Sequence, residues 1–361
     1  FSSRRRHTRF ALVSWARRCV IRDRFSGLAA GNYTIKVNEQ SSSCTETYSS
    51  NPVVINALIN YNTQIYVKTG ATAGSNDGSS WANAFLNLQD AIDANFNNVD
   101  IWVAAGTYLP TDAPDGTTST GPADRNNTFH LATDMKIYGG FAGTETLLSA
   151  RDAATNITIL SGDFIGDDGV TGSGSTLSIT NNTENAYHVM ITANLTVAAV
   201  IDGFTIKGGN ANGSGSISYQ LGDYDNGHGG GMYNVYSHPR ITNTTFSYNA
   251  ARSVGGGMYN VISSPIITNT TFLYNMADYG GGMYNQSCSP IITNTTFSYN
   301  MAKSGGGGMG NVFQCDPIIK NSIFWDNTKN GSNSVSGADI VNYASSSSTV
   351  SYCLTQTYSS G

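Results

Sequence analysis

Four times in the C-terminal half the chain runs through one order of apolar and polar positions. A glycine run leads into Met, then Asn two residues on, then a Pro-led apolar stretch, a second Asn, a Phe and a third Asn. The copies are marked by Met232, Met258, Met283 and Met309, at intervals of 26, 25 and 26 residues. Four further registers keep step with them: Asn234/Asn260/Asn285/Asn311, Asn243/Asn269/Asn294/Asn321, Phe246/Phe272/Phe297/Phe324 and Asn249/Asn275/Asn300/Asn327. Glycine runs and a Pro in every copy exclude helix pairs, and a propeller blade needs about 40 residues. One coil of a parallel β-helix fits: three short strands per coil, about 26 residues, with coils ~4.8 Å apart. Equivalent residues then form ladders along the axis. Met and Phe are expected inside, and Asn243 and its equivalents at a corner, where Asn tolerates left-handed backbone.

Upstream the periodicity changes. Gln64–Lys68 and Asp100–Tyr108 read as strands. Between them Trp81, Phe85, Leu88 and Ile92 recur at helical spacing after Ser79 and Ser80, which predicts one short N-terminal capping helix with a serine N-cap. Residues 110–128 form a Pro/Gly/Asp loop. Asn32–Val37 and Asn51–Asn56 read as two further strands.

Composition supports an all-β chain. Charged residues are 12% and Gly 40 of 361, so the surface is built from Ser, Thr, Asn and Gly, not from the Lys and Glu of solvated helices. The 37 Asn point the same way, since Asn favours tight corners. The net charge of -5 hides an asymmetry. Residues 1–24 hold eight of the 19 basic residues and one acid, so the remainder carries 11 basic against 23 acidic residues, a net of -12. A body that acidic has no phosphate-binding footprint, so no nucleic-acid partner is expected. No apolar run reaches the ~20 residues of a membrane-spanning helix.

Several segments resemble known sequences. Residues 1–24 open on Phe1-Ser-Ser-Arg-Arg-Arg-His-Thr-Arg9, similar to translated adapter sequence, and are set aside as non-native. Within 25–60, Gly27–Val37 looks like the end of an immunoglobulin-like repeat of bacterial surface proteins, hence a truncated remnant. Phe246-Ser-Tyr-Asn249 followed by Gly255-Gly-Gly257 is similar to the repeat of polymorphic outer membrane proteins, with Met where that family has Ala-Ile. Ser80–Phe85, Ile101–Tyr108 and Tyr138–Glu145 resemble the start of secreted bacterial right-handed β-helix proteins of the pectin-lyase-like class. For 61–361 this implies a right-handed parallel β-helix, truncated at the C-terminus, from a protein that is secreted or at the cell surface.

The resemblance carries two functions. One is a non-catalytic stalk or adhesin meeting glycans or a host or neighbour-cell surface, with no cofactor. The alternative is a Ca²⁺-dependent polysaccharide lyase, which needs acids around Ca²⁺ and an Arg or Lys base. Its nearest acids are Asp163, Asp167 and Asp168, equally readable as a Gly-flanked acidic loop. Asp223, Asp225 and His228 mark a second place, on an insertion that lengthens one turn. Tyr233, Tyr259 and Tyr284 follow the inward Met, so alternation turns them outward as an aromatic row, suited to sugars or to stacking on itself. Arg252, Asp278 and Lys303 fall on successive coils as an alternating-charge ladder. Cys288 and Cys315 each precede a coil proline by two residues, so stacking brings them within disulfide range.

Overall fold

The computed structural model describes residues 64–356 except 73, 96–98, 115–123, 174–175 and 221, together with the backbone of three short strands, Gly31–Tyr33, Val53–Ile55 and Tyr358–Ser359. Residues 1–60 and 61–361 are separate units. In the first, Gly31–Tyr33 pairs antiparallel with Val53–Ile55. The adapter-like segment and the rest of the immunoglobulin-like remnant lie outside the described residues.

In the second unit the repeat is the strand register. Met232 pairs with Met258, Met258 with Met283 and Met283 with Met309, all in parallel. These strands belong to a ladder of eight that begins at Phe129–Leu131. A second ladder of nine contains the Pro-led strands, such as Ile266–Thr268, and starts at Gln64–Val67. A third of eight carries the Phe positions, such as Thr271–Leu273. The chain is a right-handed parallel β-helix, as the repeat implies. Each regular coil adds a fourth strand of two to five residues before the glycines, exemplified by Ala250–Ala251 and Met301–Gly305, and these form a five-stranded ladder.

The interior is apolar files and amide ladders. Met190, Met232, Met258, Met283 and Met309 are fully buried in one file. Phe246, Phe272, Phe297 and Phe324 stack in another, with centroids 4.8, 4.6 and 4.5 Å apart. Burying each such side chain is worth about 1.5–3 kcal/mol. Asn234, Asn260, Asn285 and Asn311 pass a side-chain hydrogen bond upward, each Nδ2 donating to the next Oδ1 at 2.7, 2.8 and 2.9 Å. Asn249, Asn275, Asn300 and Asn327 do the same at 3.0, 2.9 and 2.9 Å. Each of the last three also donates back to a Phe carbonyl of the preceding coil. A buried amide in water-free surroundings is stable only when its donors and acceptors are met, and a neighbour of the same type one coil away meets them. The corner asparagines have φ of 48, 51, 51 and 49°. The glycine run is a close approach: a Cβ on Gly257 would stand 2.5 Å from the Gly282 carbonyl oxygen.

The expected single helix is two pieces. Trp81–Asn83 is one 3₁₀ turn capped by Ser80, and Leu88–Ala94 is a separate α-helix capped by Asn87. Phe85 lies between them and bridges Val67 in the sheet; the residue that completed the helical stripe is captured by the β-ladder. No helix among the described residues is long and apolar enough to cross a membrane.

Candidate functional site

The first of the regular coils is lengthened by an antiparallel hairpin, Ser216–Tyr219 with Gly222–Asp225. It changes the fate of the tyrosine row. Tyr233, Tyr259 and Tyr284 do face away from the Met file, yet they are only 5, 4 and 9% exposed. Tyr224 of the hairpin is fully buried against Tyr233, with centroids 4.9 Å apart, and its hydroxyl donates to the Thr192 carbonyl at 2.8 Å. Tyr219, Val254 and Val312 complete a second apolar cluster. Tyr284, further along, is flanked by Tyr279 and Tyr343, so the open platform expected from alternation is a covered layer. Burial drives the Tyr284 hydroxyl up to about 12. His188 sits at the base of this layer, wholly buried, with Nδ1 3.0 Å from the Gly229 carbonyl and its ring edge-on to Tyr233. Burial lowers its pKa to about 4 and keeps it neutral.

The other insertion residues serve the hairpin. Asp223 accepts from Ser218 at 2.6 Å, Asp225 caps the Gly227 amide at 2.7 Å, and His228 packs edge-on against Tyr259. Asp225 and His228 lie near each other and near His188, while Asp223 is held by the hairpin's own Ser218.

A different aromatic row reaches solvent, one the sequence reading passed over. Tyr248, Tyr274 and Tyr299 precede the second Asn ladder, take left-handed backbone at φ 57, 55 and 55°, and are half-exposed. Their rings stack at 5.5 and 5.1 Å, nearly parallel. Faces that stack on each other are not offered to a ligand; edges and hydroxyls are. The signal was in the repeat itself, as Phe-x-Tyr-Asn.

The acidic loop is only partly as expected. Asp163 is 8% exposed; its Oδ1 accepts from the Gly166 amide at 2.6 Å and its Oδ2 lies 3.4 Å from the Asp168 amide. Asp168 faces it. Asp167 points to solvent and drops out, and its place is taken by Glu184, from the far side of the excursion that contains the hairpin Gly169–Thr171 with Ser178–Thr180. Ligand oxygens of Asp163, Asp168 and Glu184 lie within 4.8 Å of one another. Asn185, 1% exposed, donates from Nδ2 to Asp168 Oδ2 at 2.9 Å and to the Gly208 carbonyl at 2.7 Å. Burial raises the Asp168 carboxyl to about 6, with Asp163, Glu184 and Asp167 adding repulsion. Beside the cluster, Arg125 is held by three hydrogen bonds, Nε with the Asn185 carbonyl at 2.6 Å and Nη2 with the Asn210 carbonyl at 2.8 Å and Asn212 Oδ1 at 2.9 Å, with its guanidinium over Tyr187 at 4.1 Å. Glu184 and Asn185 were invisible to a search for short motifs, because only the closure of the excursion brings them to Asp163.

Two pairings expected from the coil register are incomplete. Lys303 Nζ meets Asp278 Oδ1 at 2.9 Å, but among the described residues Arg252 forms no ion pair with Asp278; its guanidinium lies against Gly227 of the coil below. A single exposed pair replaces the ladder and is worth at most ~1 kcal/mol. Cys288 and Cys315 do meet, both buried, with sulfurs 3.7 Å apart as two thiols, not as the expected bridge. The tighter ion pair was not foreseen: Arg151 joins Asp202 at 2.7 Å, the two side chains 15 and 13% exposed, and also donates to the Gly139 carbonyl at 2.9 Å.

Among solved structures the chain is similar to one described as a crystal structure of pectate lyase Pel9A, at 15% identity and a TM-score of 0.46, with 82% of this chain and 63% of that chain covered. The chain thus spans less than two thirds of that protein's length. No protein-family model matches it, and no curated protein matches it.

Proposed function

We propose that this protein is a non-catalytic stalk or adhesin of an exported or cell-surface kind, a β-helix whose side faces meet a glycan or a neighbouring surface. The observation that carries the reading is the state of its polar groups. The two inner amide ladders are satisfied from coil to coil, the inner tyrosine row is buried, and Arg125, the cation coupled to Glu184, is already bound to three oxygens. A lyase must present a free basic side chain to the proton it abstracts; Arg125 is not free to do so. What reaches solvent in register is the file of Tyr248, Tyr274 and Tyr299 edges and hydroxyls, a repeating hydrogen-bonding strip with little charge, which favours a neutral glycan over a uronate.

The runner-up, a Ca²⁺-dependent lyase, is favoured by the Asp163, Asp168 and Glu184 cluster. One experiment separates the two. The chain is incubated with pectate and with alginate in Ca²⁺, and the ultraviolet absorbance of an unsaturated product is followed, while a glycan array is read with wild type and with Tyr274→Ala. The expected result is no product, and binding to a neutral glycan that falls in the variant. Turnover that disappears in Asp163→Ala would overturn the stalk reading, and a silent array would remove the glycan and leave a spacer.

A further inference from the structure

The acidic cluster gathers buried, unmatched acceptors in one place. Three oxygens there are buried and meet no hydrogen-bond donor: Asp168 Oδ1, Glu184 Oε1 and Asn185 Oδ1. All three are acceptors. The asparagine is the telling one, since it is 99% buried and its amide nitrogen, bonded to Asp168 Oδ2 and to the Gly208 carbonyl, fixes the side chain beside the Asp168 carboxylate. In the two inner ladders a buried Asn oxygen is matched by the amide of an adjoining coil. Asn185, where the excursion rejoins the coil, is not a member of either ladder. Carboxylates left this way repel one another, which costs stability unless a positive charge lies among them.

We propose that Asp163, Asp168, Glu184 and the Asn185 side-chain oxygen bind a hard divalent cation, Ca²⁺ by preference, which fastens the 164–183 excursion to the coil. Oxygen-only donors, carboxylates with one neutral carbonyl, are the chemistry Ca²⁺ takes, and it accepts the irregular geometry of a loop-and-coil site that Mg²⁺ resists. The role is structural and does not depend on whether the protein is a stalk or an enzyme. The competing occupant is a proton shared between Asp168 and Glu184.

The test is isothermal titration of the purified chain with Ca²⁺ alone, joined to thermal melts in EDTA and in millimolar Ca²⁺. Wild type should bind and melt higher with Ca²⁺, and Mg²⁺ should do less. Asp168→Asn and Glu184→Gln should each lose at least tenfold in Ca²⁺ affinity and most of the thermal shift, while Asp167→Asn, altered on an exposed neighbour, keeps both. In EDTA the two cluster variants should melt at or above wild type, because each removes a buried charge, and this shows that they fold. No heat and no shift in wild type at millimolar Ca²⁺ would overturn the proposal in favour of the shared proton, as would an undiminished Ca²⁺ response in Asp168→Asn.

Discussion

The two kinds of asparagine ladder make opposite demands on a substitution to Ala, and the contrast tests the whole account of the interior. Asn275 is fully buried; its Nδ2 donates to the Phe246 carbonyl and to Asn300 Oδ1, both at 2.9 Å, and its Oδ1 accepts from the Asn249 amide at 3.1 Å and from Asn249 Nδ2 at 3.0 Å. Asn275→Ala removes four hydrogen bonds and strands the Asn249 N–H in the core. At about 0.5–1.5 kcal/mol for each bond and 1–3 kcal/mol for an orphaned buried group, with part of the loss shared between neighbours, the cost is about 3–5 kcal/mol. Asn269 sits at an exposed corner at φ 51°, with amide contacts of 3.4 and 3.3 Å to its neighbours. Asn269→Ala loses little more than tolerance of left-handed backbone, about 1 kcal/mol, and Asn269→Gly should be near neutral. Urea unfolding followed by far-ultraviolet circular dichroism, with m-values compared to confirm that the same unit unfolds, gives the difference directly. Costs for Asn275→Ala and Asn269→Ala that agree within about 1 kcal/mol would refute the idea that the inner amides bear the stack.

Two further outcomes concern titration and redox state. His188 is wholly buried and neutral, with His228 and Asp225 the nearest titrating groups; its folded pKa of about 4 lies below the ordinary 6.5. The unfolded chain therefore binds the proton first: stability from this group is full above about pH 6.5 and falls as pH drops toward 4, by about 3 kcal/mol. The urea midpoint of His188→Phe should show a flatter profile across that window, and parallel profiles would remove His188 as the cause. Cys288 and Cys315, already 3.7 Å apart, should join on oxidation and raise stability by about 3 kcal/mol for a loop of one coil; non-reducing peptide maps that find both thiols free after oxidised glutathione would count against it.

The repeat made the fold legible because stacking in a β-helix is a copying rule. Met pairs with Met, Phe with Phe and Asn with Asn, so a period read along the chain is also a contact map. What the period cannot show is what lies across it. Alternation correctly turned Tyr259 away from the Met file, but outward is not the same as wet when an insertion can fold over the face. Tyr219 and Tyr224 alternate with polar residues in that insertion, as strands do when they cover something. Arg252 failed as a ladder member for a similar reason: equal step along the chain fixes the Cα, whereas a long side chain chooses its neighbour, here Gly227 below and not Asp278 above. The acidic site was half visible, since Asp163 and Asp168 are local whereas Glu184 and Asn185 arrive by loop closure.

The identity of successive coils bears on how such a chain varies in length. Asn234 to Asn260, Asn260 to Asn285 and Asn285 to Asn311 are separated by 26, 25 and 26 residues, and each rung offers the next the same surface it received. Excising one coil between equivalent points, or duplicating one, rejoins Met to Met and amide to amide with every ladder intact. The inner ladders thus set one coil as the unit in which the β-helix can lengthen or shorten while Met still meets Met and Asn still meets Asn.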